Sequence, residues 1–183
     1  MKIGILRIGQ IDTYVIARIQ ETLNTVFPRA KSILIAESVP APEEAFSEGR
    51  DQYRSNIILD AIDSYAEKEN VFDRVLGIAD VDLFVSRLNF VFGEAKCPGK
   101  AALISLWRLR PEFYAHASNP EVFAQRSAKE AVHELGHTWG LKHCGNPFCV
   151  MHFSNSIFDT DRKQTLFCSK CHLKAQAIPN RLR

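Results

Sequence analysis

The run His133-Glu134-Leu135-Gly136-His137-Thr138-Trp139-Gly140-Leu141-Lys142-His143 gathers three imidazoles and a carboxylate at spacings that suit a metal. On a helix, His133 and His137 leave the same face within about one turn, because residues four apart are surface neighbours. Two nitrogens so placed can grip one Zn2+ at roughly 2.0–2.1 Å each. Glu134 stands beside the first of them, where it could take a proton from a zinc-activated water. Gly140 lets the backbone leave the helix sharply, so that His143 can return as a third ligand and leave a fourth position open. A bare H-E-x-x-H also occurs on ordinary amphipathic helices. Gly140 and His143 at the required offsets make that coincidence hard to sustain.

A second constellation follows at once. Cys144, Cys149, Cys168 and Cys171 form C-x4-C and C-x2-C pairs joined by residues 150–167. Two close pairs across a loop are what a tetrahedral four-thiolate zinc site needs. Two disulfides or four buried free thiols are the rival readings, and disulfides are disfavoured in a reducing compartment. A site with four protein ligands has no vacancy, so this zinc is expected to be structural. His172, next to Cys171, is then surplus and reads as a surface residue. Cys97, in Lys96-Cys97-Pro98-Gly99, has no partner at useful spacing and reads as a free thiol.

These groups need a scaffold. Lys2 to Ile8, Ser32 to Ala36, Arg74 to Ala79 and Ala101 to Arg108 read as largely buried strands. Asp12 caps a helix running to about Phe27, where Pro28 ends it. Ser55 opens a second, with Ile57, Ile58, Ala61, Ile62 and Tyr65 on its buried face. Asn119 and Pro120 start the long helix that carries the histidines. Pro40 to Glu44 reads as a loop, the charged stretch after it to Tyr53 as a short strand or an exposed excursion, and Asn89-Phe90-Val91-Phe92 as an edge strand. Strands alternating with helices imply an α/β fold, a mixed, mainly parallel sheet with packed helices.

With 183 residues, 46% hydrophobic and 24% charged, the chain can fill one globular core, either whole or split into two lobes around a cleft. A formal charge of +2, with no basic block beyond the mild Asn180-Arg181-Leu182-Arg183 end, argues against nucleic acid. No run of about 18 apolar residues exists to span a membrane. The short apolar N-terminus lacks a cleavage site, so the cytoplasm is expected.

The stretch from His133 to Met151, with Cys168-Ser169-Lys170-Cys171, closely resembles the archaemetzincins, of the metzincin clan of zinc peptidases. Asn89 to Ala95 and Ile104 to Leu109 resemble family segments more loosely. The resemblance implies a metzincin-like lobe over residues 1–143, including the active-site helix, and a small zinc-bound C-terminal subdomain over 144–183. It implies two Zn2+: a catalytic ion on His133, His137 and His143, and a structural ion on the four cysteines. It also makes Glu134 the general base and Met151 the Met-turn residue, a hydrophobic floor under the site.

The expected function is a zinc metallopeptidase acting on peptides or unfolded segments, as a monomer. Endopeptidase and aminopeptidase action stay open. Asn89, Phe90, Val91 and Phe92 could hold an extended substrate by strand addition, although an interior strand fits them equally. Two rivals are an inactive zinc-binding interaction module and a zinc-ribbon nucleic-acid binder. Glu134 argues against the first, because metal binding alone needs no carboxylate there; the near-neutral charge argues against the second. Asp159 and Asp161 could cap a helix or support a histidine ligand.

Overall fold

A computed structural model describes residues 1–177; the basic stretch from Asn180 to Arg183 lies outside them. In chain order come β1 (Lys2–Ile8), α1 (Thr13–Val26), β2 (Lys31–Val39), β3 (Phe46–Ser47), β4 (Gln52–Arg54), α2 (Ser55–Glu69), β5 (Arg74–Ala79) and β6 (Leu83–Phe84). Then follow β7 (Gly93–Ala95), β8 (Ala101–Ser105), α3 (Pro120–Thr138), α4 (Ile157–Arg162) and α5 (Ser169–Ala177). Five strands form one sheet in the order β2-β1-β5-β8-β7, and β3-β4-β6 form a small second one.

Within the large sheet only β7 runs antiparallel to its neighbour, β8. The strands are apolar on both faces because helices cover both. Ile3, Ile5, Leu76, Ile78, Ala102 and Ile104 join the core with α1 and α3. Leu6, Ile8, Val75, Ala79, Ala101 and Leu103, one step out of phase, join the core with α2. Asp12 caps α1 by accepting from Tyr14 N, and Asn119 caps α3 by accepting from Val122 N, with Pro120 in its first turn.

Three sequence expectations need correction. The edge strand is Gly93–Ala95, downstream of Asn89–Phe92. The Asn89 carbonyl accepts from Arg50 Nη2 and Gln52 Nε2, both at 3.0 Å, so side chains take the place of a ladder. Phe92 is buried in the core, and Val91 makes only a lone antiparallel bridge with Leu83. Strand β8 ends at Ser105, short of Arg108. Ser105 Oγ there donates to Val81 O and accepts from Trp107 N, turning the chain into a 3-10 turn over Trp107–Leu109. On α2, Leu59 is buried where Ala61 was expected, and Ala61 is exposed. Residues 43–53 form a 3-10 turn and the short strands β3 and β4. No described helix is long and apolar enough to cross a membrane.

Candidate active site and metal centres

Helix α3 carries His133 and His137 on one face, and Gly140 at φ +82° turns the chain so that His143 reaches them. The turn is closed by Gly140 N donating to His137 O and Leu141 N to Gly136 O. His137 Nε2 lies 3.1 Å from His133 Nε2 and 3.2 Å from His143 Nε2. Nitrogens about 2.0–2.1 Å from one tetrahedral centre stand about 3.3–3.4 Å apart, so the spacing fits a single ion.

Protonation fits too. His133 Nδ1 is 2.7 Å from Val150 O, and His137 Nδ1 is 2.6 Å from Leu141 O. A carbonyl can only accept, so each Nδ1 carries the proton and each Nε2 keeps its lone pair. Burial pushes all three imidazoles toward the neutral form, His133 well below the usual range and His143 to about 4. Converging neutral lone pairs repel unless a cation sits among them.

Glu134 is 5% exposed and lines a cleft of about 450 Å3 with His137, His143, Phe90, Val91 and Phe92. Burial, with Glu130 and Glu94 nearby, pushes its carboxyl well above the usual range, against a smaller opposing pull from Lys163. A carboxyl so placed has proton affinity closer to neutrality than a free glutamate, which suits a group that takes and returns protons. Asn89 does not line the cleft. Gly93, Glu94 and Ala95 of the β7 edge do.

The four cysteine sulfurs lie within 4.8 Å of one another, with Cys144 and Cys168 at 3.8 Å. Sulfurs about 2.3 Å from a tetrahedral ion stand about 3.8 Å apart. Cys171 N–H favours the Cys168 thiolate, bringing it down to about 7, whereas burial pushes Cys149 and Cys171 up. Four sulfurs this close need a cation before all can ionise. No disulfide joins them, and Cys97 is an exposed free thiol on the cleft rim.

The two centres share backbone. Cys144 N donates to Met151 O at 2.8 Å, and the Val150 carbonyl that orients His133 lies between Cys149 and Met151. Met151 is fully buried, and its Sδ would sit 2.5 Å from a Cβ placed on Gly136. His152 Nδ1 bonds Cys144 O, while His172 and His116 are exposed. Asp159 Oδ2 accepts from Asn155 N and Ser156 N at the start of α4. Asp161 pairs with Arg126 through both oxygens at 2.7 Å. Neither aspartate bonds a histidine.

Sequence reading missed a buried polar cluster one turn before Glu134. Glu130 Oε1 accepts from Thr160 Oγ1 at 2.8 Å and lies 3.0 Å from Lys163 Nζ, off the axis of a well-formed hydrogen bond. Glu130 also lines the cleft. Its spacing of four from Glu134 was the available signal. Gly93 was missed as well, with no local signal.

Residues 11–177 match peptidase family M54. Archaemetzincin from Methanocaldococcus jannaschii is 42% identical over 176 residues, covering 96% of this chain and 93% of its own. The chain belongs to the archaemetzincins. This family of zinc metallopeptidases includes a Pyrococcus abyssi protein 39% identical over 175 residues, 94% of this chain and 93% of that one. The crystal structure of archaemetzincin from Methanopyrus kandleri is similar at a TM-score of 0.84 and 36% identity, covering 96% of this chain and 93% of that one. A structure titled zinc-dependent peptidase, from Methanocorpusculum labreanum, is similar at 0.86 and 27% identity, covering 94% and 99%.

Proposed function

We propose that this archaemetzincin hydrolyses peptide bonds with Glu134 as general base, His133, His137 and His143 holding a catalytic zinc, and Cys144, Cys149, Cys168 and Cys171 a structural one. The observation that carries this reading is the convergence of three Nε2 atoms, that of His137 lying 3.1 and 3.2 Å from the other two, with His133 and His137 oriented by backbone carbonyls, beside a buried carboxylate. Zinc bound there would supply a Lewis acid that polarises the scissile carbonyl and acidifies water. Glu134 takes the proton of the attacking water and delivers it to the leaving amine. The free edge of β7 lines the cleft and can hold an extended peptide by strand addition, with Phe90, Val91 and Phe92 as apolar walls.

Residues 1–143 and 144–183 act as two lobes meeting at the zinc, with Met151 as the floor. Four cysteines kept as metal ligands fit the reducing cytoplasm. The chain works as a monomer on peptides or unfolded segments. Zinc content measured together with hydrolysis of a quenched peptide library, for wild type and Glu134→Ala, tests this. Two zincs per chain, and activity lost in the variant, are expected. A wild type holding both zincs yet cleaving nothing would overturn it.

A further inference from the structure

Glu130 is 2% exposed, yet it lines the cleft one helical turn from Glu134. Its Oε1 is occupied by Thr160 and Lys163, residues at the end of α4. Oε2 accepts no hydrogen bond from any described residue. Lys163 is itself 1% exposed and does not line the cleft, so it pairs with Glu130 from behind and does not meet a bound molecule. A second polar atom faces the same space: Ser154 lines the cleft, and its buried Oγ has no hydrogen-bond partner among the described residues. An acceptor oxygen of Glu130 left free and a buried Ser154 hydroxyl without a partner, both lining this cleft, signal a ligand group that completes them.

The walls say what that group carries. Val85, Leu88, Phe90 and Phe92 line the cleft with apolar surface, suited to a long aliphatic stem. Three carboxylates line the cleft, Glu94, Glu130 and Glu134, against one lining ammonium, the exposed Lys142, with Lys163 buried behind Glu130. An acidic side chain brought against Glu130 meets a second carboxylate, and a purely apolar one leaves Glu130 Oε2 and Ser154 Oγ unpaired.

We propose that Glu130, backed by Lys163 and Thr160, is the specificity-determining residue of the cleft and selects a lysine or arginine side chain of the substrate. The proposal rests on the peptidase reading above and names the substrate class of that same cleft.

The test is binding, so it does not depend on turnover. Zinc-loaded Glu134→Gln protein is titrated with a fixed alanine hexapeptide in which lysine, norleucine or glutamate is placed at each position in turn. Norleucine keeps the aliphatic stem and lacks the ammonium. At one position lysine is expected to bind about 10- to 100-fold tighter than norleucine, the range of one charged hydrogen bond, with glutamate weakest. Adding Glu130→Gln should erase the lysine advantage and spare norleucine. Because Glu130→Gln strands the Lys163 charge, Glu130→Gln/Lys163→Met, which removes both charges, serves as the folded control. Equal binding of lysine and norleucine at every position, or no binding at all, overturns the proposal. So does a lysine preference that survives in the double variant. Failure of the peptidase reading would show separately, as no cleavage of any peptide by the wild type.

Discussion

Gly93 and Glu134 pack so closely that no side chain fits between them: a Cβ on Gly93 would lie 2.6 Å from Glu134 Cγ and 2.7 Å from its Oε1. The Leu103 carbonyl, part of the backbone, would also stand 2.6 Å from the added carbon, so something must shift to admit it. The edge strand therefore sets where the carboxylate can point. Gly93→Ala is expected to cost about 100-fold in kcat/KM by displacing Glu134, because misplacement near 1 Å has that order of effect. Zinc content should stay unchanged, since no histidine moves. Wild-type turnover in the variant would show that Glu134 has room to spare.

A related close approach lies under the histidines. Gly136 has no room for a Cβ against Met151 Sδ, with Phe167 Cε1 3.3 Å away. Gly136→Ala should destabilise the protein by about 1–3 kcal/mol through overpacking. Met151→Ala opens the same space and should cost about 2–5 kcal/mol alone. Denaturant melts of both single variants and the double should show a double variant less unstable than the sum. Strict additivity would mean that the two residues do not share that space.

The two metal centres should be coupled. His143 and Cys144 are joined by one peptide bond, and the Val150 carbonyl that orients His133 is flanked by Cys149 and Met151. Cys168→Ser, which weakens the cysteine site, is expected to lower zinc affinity at the histidine site about 10- to 100-fold, the usual scale for losing an orienting contact. Competition with a chromophoric chelator would read this. An unchanged histidine-site affinity would refute the coupling.

Acidification should destabilise the metal-free protein through its histidines. Their folded proton affinities lie below the free value of 6.5, so the stability they confer is present above that pH. It is lost as pH falls, for His143 down to about 4. Glu134 has the opposite sign. Its carboxyl is raised above 4.5, so its stabilising share is present below that pH and is lost as pH rises. Glu134→Gln should therefore raise the melting temperature of metal-free protein at pH 7–8, with the gain shrinking toward pH 4. Parallel melting curves at all pH values would contradict this.

Much of the scaffold was legible in the residues. β1 and β5 fell where apolar runs placed them, α1 began at its Asp12 cap, and α3 began at Asn119 and Pro120. These features depend on a few consecutive residues. The edge strand was misplaced because Phe90, Val91 and Phe92 have strong β propensity, yet the Asn89 carbonyl is taken by Arg50 and Gln52, far away in the chain. Ser105 ended β8 early for a similar reason, through a bond to the distant Val81 carbonyl.

The candidate site divides along the same line. Sequence alone determined the pairing of His133 with His137, the turn at Gly140 that returns His143, and the grouping of four cysteines, because helix pitch and short loops fix which atoms can meet. Only the tertiary structure decided that Gly93 faces Glu134, that Lys163 and Thr160 hold Glu130, and that Val150 orients His133. Those contacts join separate elements of the chain, and their geometry follows from how sheet, helices and C-terminal loop pack around one another. Local spacing thus named the groups that could hold a metal, while packing chose the direction of the carboxylate and the lining of the cleft.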